Sequence, residues 1–404
     1  MQPETLFGLA LGITPPWYVK AAEFSADSGQ LDLYLDFKRG ARFPCPSCGT
    51  EGAQPHDSSE DTWRHMNFFQ YKTYLHARVP RVECPRGCGV KLIEVPWARP
   101  DSGFTQLFEA HLMILLREMP VATVADLVGE HDTRLWRVLH HYVGHARAQE
   151  DFSDVQKVGV DETSSRRGHR YISVFADMER AKVIFATEGK DAQVVSAFKH
   201  DLESHKGQAE RVREVCCDMS PAFIMGFEES FPTAQLTFDK FHVTKVLSDA
   251  VDQVRREEQR ERPELNKTRY LWLTNPNNLK QHQKTALDSL TRMNLKTARA
   301  YQLRLTFQEF WVRPPDEAES FLRKWFFWAT HSRLEPMRNA AWTIRRHWQG
   351  ILRWFTSRIS NGILEALNGL IQAAKARARG YRSNRNLIAM TYLIAGKLRL
   401  DLPT

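Results

Sequence analysis

The chain has 404 residues, of which 42% are hydrophobic and 26% are charged. This composition excludes a disordered chain and is sufficient for several domains with buried cores. The formal net charge of +8 favours an anionic partner, nucleic acid first, although solubility alone would also explain it. Since no segment approaches the roughly 20 apolar residues of a membrane helix and the amino terminus lacks the basic start of a signal peptide, we expect a cytoplasmic protein with no membrane partner.

Four cysteines stand out in residues 1–100, where short strand-like runs alternate with Pro and Gly. They occur in the segments CPSCG and CPRGCG, as Cys45, Cys48, Cys84 and Cys88. This spacing is typical of the two knuckles of a zinc ribbon, so we predict a zinc-ribbon-like DNA-binding module with one structural Zn²⁺. Four unrelated thiols are the alternative, and His56 and His65 are weaker ligand candidates. Cys216 and Cys217 lie in an apolar segment and are interpreted as core residues.

Helical periodicity replaces the strand pattern in residues 101–150. A break at Gly129 separates two helices, which predicts a helix-turn-helix DNA-binding module. The apolar stripe of the second helix would face inward, and it consists of Leu135, Val138 and Leu139. Arg134 and Arg137 would then point outward and contact phosphates or guanine edges. Basic residues on a solvated helix are the plainer explanation.

Residues 151–243 return to strands, in the predicted order β-β-β-α-β-α-β. The first and fourth strands can lie side by side, and we predict that Asp161 ends one of them and Asp218 the other. Two carboxylates at neighbouring strand ends suit a divalent cation. Each aspartate alone could equally be a turn residue. Asp239 also follows a strand and competes with Asp218, as Glu162 does with Asp161.

The remaining chain is predicted to be helical, in residues 244–340 and again in residues 341–404. After residue 365 the basic residues far outnumber the acidic ones. They are Lys375, Arg377, Arg379, Arg382, Arg385, Lys397 and Arg399, against Asp401 alone. Because Gly380 interrupts the run, the charges cannot all lie on one helical stripe, and we expect the first four to follow a DNA backbone. Five tryptophans among nearby arginines could stack unpaired bases, but most are expected to fill a core.

A third acid for a metal site is available in this last range. Glu365 stands early in a predicted helix for which Ser360 or Asn361 is the candidate N-cap. Asn368 follows three residues later on the same helix face. Its amide could steady the carboxylate or reach a DNA phosphate.

Four segments together resemble one known family of enzymes. They are residues 159–163 (GVDET), 217–220 (CDMS), 239–243 (DKFHV) and 360–368 (SNGILEALN). With the strand order and the cysteine spacing, they resemble the DDE transposases of bacterial insertion sequences, in particular the ISL3 family. The resemblance implies an α+β multidomain chain, with a zinc ribbon, a helix-turn-helix and an RNase H-like α/β catalytic domain. Residues 151–243 and 341–404 would form this catalytic domain, interrupted by an all-helical insertion.

The resemblance also implies a chemistry. Asp161, Asp218 and Glu365 would hold two Mg²⁺ ions, and the enzyme would cleave element ends and transfer them into target DNA. Its partners would be double-stranded DNA, namely the terminal inverted repeats and the target, bound by a homodimer or a higher homo-oligomer. His242 would either pack its ring beside Phe241 or lie close enough to the acids to touch substrate.

Two other functions fit the same residues. A DNA-binding regulator or domesticated transposase would keep the zinc ribbon and the helix-turn-helix without cleaving DNA, and the presence of all three acids argues against it. A nuclease would hydrolyse DNA without strand transfer, which the same acids would permit.

Overall fold

The computed structural model describes residues 2–166, 168, 170–359 and 361–403. The chain divides into two compact units. The first unit comprises Met1–Gly144 and Arg399–Thr404, and the second comprises His145–Leu398.

The first unit is built on a five-stranded sheet preceded by a short helix. Its elements are α1 (Pro3–Ala10), β1 (Trp17–Ser25), β2 (Gln30–Phe37), β3 (Gln54–Arg64), β4 (Lys72–Glu83) and β5 (Val90–Leu92). The strand order is β1-β2-β4-β3, and β5 pairs with β4. Strand β2 has the alternating sequence QLDLYLDF and buries Leu31, Leu33 and Leu35. This period of two is typical of a strand with one face in a core.

Three helices follow, and a tight turn joins the last two. They are α2 (Gln106–Glu118), α3 (Val121–Val128) and α4 (Asp132–Ala148). Gly129 ends α3 with a left-handed backbone at φ +67°, a conformation that glycine adopts without a Cβ clash. The apolar residues predicted to face inward on α4, namely Leu135, Val138 and Leu139, are all buried.

The second unit begins with five strands and two helices in the predicted order. They are β6 (Lys157–Arg166), β7 (Arg170–Asp177), β8 (Lys182–Glu188), α5 (Gln193–Ser204), β9 (Glu214–Cys217), α6 (Pro221–Ser230) and β10 (Gln235–Phe238). The sheet order is β10-β9-β6-β7-β8. Strands β6, β7 and β8 form an antiparallel meander, whereas β9 runs parallel to both β6 and β10. The predicted pairing of the first and fourth strands is confirmed, because Gly159 lies opposite Cys216.

Helices make up most of the rest of the second unit. They are α7 (Lys240–Glu258), α8 (Arg269–Leu273), α9 (Gln281–Thr291), α10 (Lys296–Phe310), α11 (Pro315–Thr330), α12 (Glu335–Arg346), α13 (Trp348–Leu352), α14 (Trp354–Ser357), α15 (Gly362–Arg377) and α16 (Asn384–Ala395). The buried side chains of α7 to α14 form one apolar cluster with side chains of the sheet. Trp325 and Trp348 belong to this core, whereas Trp328 and Trp342 are exposed. Helices α7 and α12 run across the predicted domain limits at residues 243 and 340, and those limits stay a prediction.

Across the described ranges, no helix combines the length and the apolar character that crossing a bilayer requires.

Candidate active site and zinc cluster

Asp161 lies in the middle of strand β6, so the prediction that it ends a strand is wrong. The neighbouring strand is the one that ends here, because the pairing of β6 with β9 stops at Gly159 and Cys216. Strand β6 continues because its other edge is still paired, with Asp161 opposite Val174 of β7. Asp161 therefore stands just beyond the point at which β9 leaves the sheet.

Asp218 directly follows β9, as predicted. Its Oδ1 atom accepts a hydrogen bond from the backbone N–H of Ser220 at 2.9 Å. This local turn leads into α6. The side chain is half-buried, so the carboxylate is held in one orientation while it remains accessible.

Helix α15 packs along β6 and brings further polar side chains to Asp161. Asn368 donates from Nδ2 to Oδ2 of Asp161 at 2.8 Å, and Gln372 donates to Oγ1 of Thr163 at 2.6 Å. Glu365 lies one turn before Asn368 on the same helix face, and its side chain is exposed. The predicted steadying of a carboxylate by Asn368 thus occurs in the structure, but the carboxylate is that of Asp161.

Gly159 permits the close approach of α15 to the sheet. A Cβ atom at this position would lie 2.7 Å from Cδ1 of Leu364 and would also overlap Sδ of Met178. Glycine in a strand interior commonly marks such a close approach. Leu364 is fully buried in this contact. Helix α15 therefore packs close enough to the sheet for the Asn368 side chain to reach Asp161.

Asn361 occupies the N-cap position of α15, as predicted, whereas the other candidate, Ser360, lies outside the described residues. The Asn361 carbonyl accepts the backbone N–H of Glu365 at 2.7 Å. Its side chain is directed to the sheet instead of the helix, because Sγ of Cys216 donates to its Oδ1 atom at 3.0 Å. Cys216 and Cys217 are both fully buried, which confirms that they are core residues.

Negative charge is concentrated around Asp161. Burial raises the pKa of Asp161 above its usual value, and the charges of Asp218 and Asp239 raise it further, while the N–H of Glu162 and the ring of His242 oppose the shift. Burial raises the pKa of Glu162 as well. Because neighbouring like charges disfavour ionisation, a divalent cation bound among these acids would offset their repulsion.

Asp239, which competes with Asp218 in the sequence, is the N-cap of a helix in the structure. It is only 3% exposed, and its Oδ2 atom caps α7 by accepting the N–H groups of Phe241 and His242. Nδ1 of His242 lies 3.4 Å from the same oxygen, and the ring lies edge-on to Phe241 with centroids 5.5 Å apart. A strand followed by aspartate and then by a helix is the sequence signal that would have identified this cap.

The charges of Asp239 and His242 stabilise each other. Interaction with the Asp239 carboxylate raises the pKa of His242. Burial alone would raise the pKa of Asp239, but hydrogen bonds from His242 and from the Asn361 N–H outweigh it and lower that pKa. His242 therefore both packs beside Phe241 and lies within electrostatic reach of the acids.

The four cysteines of the first unit form one compact cluster. Their sulfurs all lie within 4.8 Å of one another, and those of Cys48 and Cys84 are 3.6 Å apart. Among the residues that the structure describes, this is the one group of three or more Cys, His, Asp or Glu ligands that meets this limit. The weaker candidate His65 instead pairs through Nδ1 with Oγ1 of Thr105 at 2.7 Å.

The protonation of the cysteine cluster favours a bound cation. Hydrogen bonds with Thr50 lower the pKa of the Cys48 thiol to about 6. Hydrogen bonds with Cys48 and Cys84 raise the pKa of Cys88 to about 12. Thiolates this close together repel one another, and Zn²⁺ offsets that repulsion when it binds four sulfurs.

Three family models match successive parts of the chain. A model described as the zinc-finger of transposase IS204/IS1001/IS1096/IS1165 matches residues 41–88, and one described as the helix-turn-helix domain of transposase family ISL3 matches residues 93–143. The ISL3 DDE model, described as Transposase, matches residues 158–391, which is more than half of the chain. The chain belongs to the ISL3 family of transposases. Its zinc ribbon, helix-turn-helix and DDE domain confirm the predicted ones, and the four cysteines of the ribbon support a structural Zn²⁺.

Two transposases of insertion sequences align along almost the whole of this ISL3 chain. The transposase for insertion sequence element IS1001 of Bordetella parapertussis is 27% identical over 387 residues, which cover 92% of this chain and 94% of that protein. The transposase for insertion sequence element IS1557 of Mycobacterium tuberculosis is 24% identical over 441 residues, which cover 100% and 98%.

Among solved structures, one similar chain comes from the cryoEM structure of simian T-cell lymphotropic virus intasome in complex with PP2A regulatory subunit B56 gamma. It is 14% identical and covers 46% of this chain and 69% of its own length. Its TM-score of 0.18 is too low to support an argument.

The two predicted DNA-contacting arginines of the helix-turn-helix differ in their surroundings. Arg137 is exposed on α4. Arg134 is partly exposed, with 36% of its side chain accessible, and its guanidinium also lies 4.0 Å from the ring of Phe104 and pairs with Glu130. The segment before α2 contacts this part of α4, through a hydrogen bond from Arg134 to the carbonyl of Gly103.

The predicted basic run beyond Glu365 is mostly exposed. Arg377, Arg379 and Arg382 are at the surface, whereas Lys375 is half-buried and donates from its ammonium group to the carbonyl of Ser164. The chain turns at Arg379 and Gly380, with φ values of +54° and +98°. This turn confirms the predicted interruption of the cationic run.

Proposed function

We propose that this ISL3 transposase cleaves the ends of its insertion sequence and joins them to target DNA by a two-metal DDE mechanism, with Asp161, Asp218 and Glu365 as the metal ligands. The docking of α15 on the sheet carries this proposal. Asn368 of that helix binds Asp161 of β6, and Asn361 at its start contacts Cys216 of β9, the strand that Asp218 follows. One helix thus links the surroundings of all three acids.

We infer that the second unit contains an RNase H-like catalytic domain, interrupted by a helical insertion. An antiparallel meander flanked by two parallel strands, in the order β10-β9-β6-β7-β8, supports this inference. The insertion would comprise residues 244–340, between catalytic parts at 151–243 and 341–404. Residues 1–100 would form the zinc-ribbon module and residues 101–150 the helix-turn-helix module.

The acids suit magnesium in chemistry and charge. Carboxylate oxygens are the ligands that Mg²⁺ prefers, and the crowding of negative charge around Asp161 favours a bound cation. Two bound ions would stabilise the attacking and leaving oxygens of an in-line displacement.

The protein's own groups would hold these carboxylates in orientation. Oδ1 of Asp161 accepts the N–H of Glu162 at 2.8 Å, and Oδ2 accepts the Asn368 amide. The N–H of Ser220 holds Asp218. Carboxylates that are oriented in advance need no reorganisation during reaction, which is a main source of electrostatic catalysis. His242 lies within electrostatic reach of Asp161 and Asp218 and would contact the substrate.

Duplex DNA would bind to the exposed arginines. Arg137 and the partly exposed Arg134 on α4 would contribute to recognition of the terminal inverted repeats. Arg377, Arg379 and Arg382 would bind phosphates without regard to sequence. A homodimer or higher homo-oligomer would hold two element ends together.

Neutralising Arg377, Arg379 and Arg382 together to Gln is expected to weaken DNA binding equally for element ends and unrelated duplexes. Each lost phosphate contact reduces the slope of log K against log salt by roughly 0.9, so titrations at several salt concentrations measure the loss. The matched control neutralises Arg262, Arg292 and Arg299, which are equally exposed and change the net charge by the same amount. A wild-type salt slope in the first variant would contradict this prediction.

A donor–target assay tests the proposed function. The full-length protein is incubated with a labelled duplex that carries the terminal inverted repeats, a supercoiled target and Mg²⁺. Cleavage that leaves a 3′-hydroxyl, followed by covalent joining to the target, is the expected result, and a chelator of divalent cations should abolish both products. Cleavage without joining would indicate a nuclease, and binding without cleavage would indicate a regulator; either result overturns the proposal.

A further inference from the structure

The buried carboxylate of Asp239 contacts two helices that are far apart in the sequence. Its Oδ2 atom caps the start of α7. Its Oδ1 atom accepts the backbone N–H of Asn361 at 3.2 Å, in a hydrogen bond that is itself buried. One side chain therefore joins the start of α7 to the residue that begins α15.

The same region is tied to the strand that precedes Asp218. The backbone N–H of Asp239 donates to the carbonyl of Cys217 at 3.2 Å, and Sγ of Cys216 donates to the side chain of Asn361 at 3.0 Å. The Asn361 carbonyl in turn accepts the N–H of Glu365. A short path of hydrogen bonds thus leads from the end of β9 through Asp239 and Asn361 to Glu365.

Asp239 is poorly suited to bind a metal itself. Three backbone N–H groups already occupy its two oxygens, and it is almost inaccessible to solvent. Asp218, in contrast, accepts one backbone N–H and is half-buried. The two aspartates follow neighbouring parallel strands, but their surroundings fit them for different tasks.

We propose that Asp239 is a positioning residue, which ties the first turn of α15 to the end of β9 and thereby sets the location of Glu365 relative to Asp161 and Asp218. This inference rests on the proposed function, because it assumes that these three acids act together. It also means that Asp239→Ala is not a neutral variant, although Asp239 lies outside the proposed ligand set. Residues that orient metal ligands commonly change metal affinity or activity by roughly 10- to 100-fold when they are replaced.

Asp239→Ser separates the two contacts of this carboxylate. Serine is a good N-cap and keeps the hydrogen bond to the start of α7, but its one short hydroxyl cannot also reach the N–H of Asn361. The matched control is Asp191→Ser: Asp191 is exposed and accepts the N–H of Gln193 at the start of α5. Both variants are made in the full-length protein.

Two measurements test the proposal. In metal-free protein, hydrogen exchange of the backbone amides at residues 361–365 is expected to be faster in Asp239→Ser than in the wild type, and unchanged in the control. In the donor–target assay, the Mg²⁺ concentration for half-maximal rate is expected to rise roughly 10- to 100-fold, with unchanged affinity for element ends. A purely structural defect would reduce the amount of active protein without changing the Mg²⁺ dependence.

Wild-type exchange together with wild-type Mg²⁺ dependence in Asp239→Ser would overturn the positioning role. Should this variant not fold, Asp239→Asn takes its place, because it keeps the size of the side chain and one acceptor oxygen. The same two measurements, amide exchange at residues 361–365 and the Mg²⁺ dependence, then test the proposal. Failure of the proposed function has a different signature: the Asp161, Asp218 or Glu365 variants would then retain activity whatever Asp239→Ser does.

Discussion

Asp161→Asn, Asp218→Asn and Glu365→Gln are each expected to reduce cleavage and strand transfer by on the order of a thousand-fold or more. Each change keeps the shape of the side chain but removes one proposed anionic ligand. A bound ion would contribute several kcal/mol of transition-state stabilisation, and each loss of about 1.4 kcal/mol slows the reaction roughly tenfold. Affinity for element ends should remain within a few-fold of wild type. The measurements are product formation on supercoiled donor DNA with Mg²⁺ and a binding titration without it.

Asp191→Asn is the matched control for these variants. Asp191, like Asp218, accepts a backbone N–H two residues further along the chain, so the same local hydrogen bond is perturbed at a residue outside the proposed ligand set. It should retain wild-type rates. Persistent cleavage by Asp218→Asn, or loss of cleavage in the control alone, would show that the ligands have been wrongly assigned.

Cys84→Ser is expected to lose the zinc and to unfold the amino-terminal module. Zinc binding to such sites contributes an apparent free energy of about 10 kcal/mol or more, which equals or exceeds the whole stability of a typical domain. Cys84 is buried within the cysteine cluster, so its loss also leaves three thiols without their cation. Metal analysis of the purified protein and limited proteolysis of residues 1–100 measure the two effects.

Cys217→Ala controls for the loss of a thiol. Cys217 is equally buried but lies in the sheet of the second unit, so this variant should keep one zinc per chain and an intact amino-terminal module. The prediction fails if wild-type protein contains no zinc or if Cys84→Ser retains it in full.

The strand order could be predicted because each strand is a short apolar run with polar breaks on either side. The position of Asp161 within its strand could not, since β6 continues for reasons that lie in another segment: β9 ends after Cys217, whereas β7 still pairs with residues beyond Asp161. Local sequence determines where a strand can form, but its partners determine where pairing stops.

Arg134 shows that local sequence is also insufficient to predict the contacts of a helix with other elements. Periodicity identified which residues of α4 face the core, and Leu135 and Val138 are buried accordingly. It could not show that Phe104 contacts Arg134, because that contact joins different elements. Exposure of a polar helix face depends on what else packs there, and this information is tertiary.

The role of Asp239 could be predicted from the sequence only in part. The sequence shows three acids that accompany strands, and the choice among them rested on motif position. What separates Asp239 from Asp218 is the hydrogen-bond partners of each, and those partners include Asn361, which lies 122 residues away. Only its role as the N-cap of α7 could have been inferred from the neighbouring sequence.

The docking of α15 on β6 has a consequence for synthesis. Asp161 and Asn368 are separated by 207 residues, so the ribosome completes the sheet and the helices up to α14 before the helix with Glu365 exists. Because domains form progressively as a chain emerges, a nascent chain with the proposed function would bind element ends before it gained the means to cut them. A polypeptide that terminated before residue 361 would keep the zinc ribbon and the helix-turn-helix, and would compete with the complete enzyme for those ends.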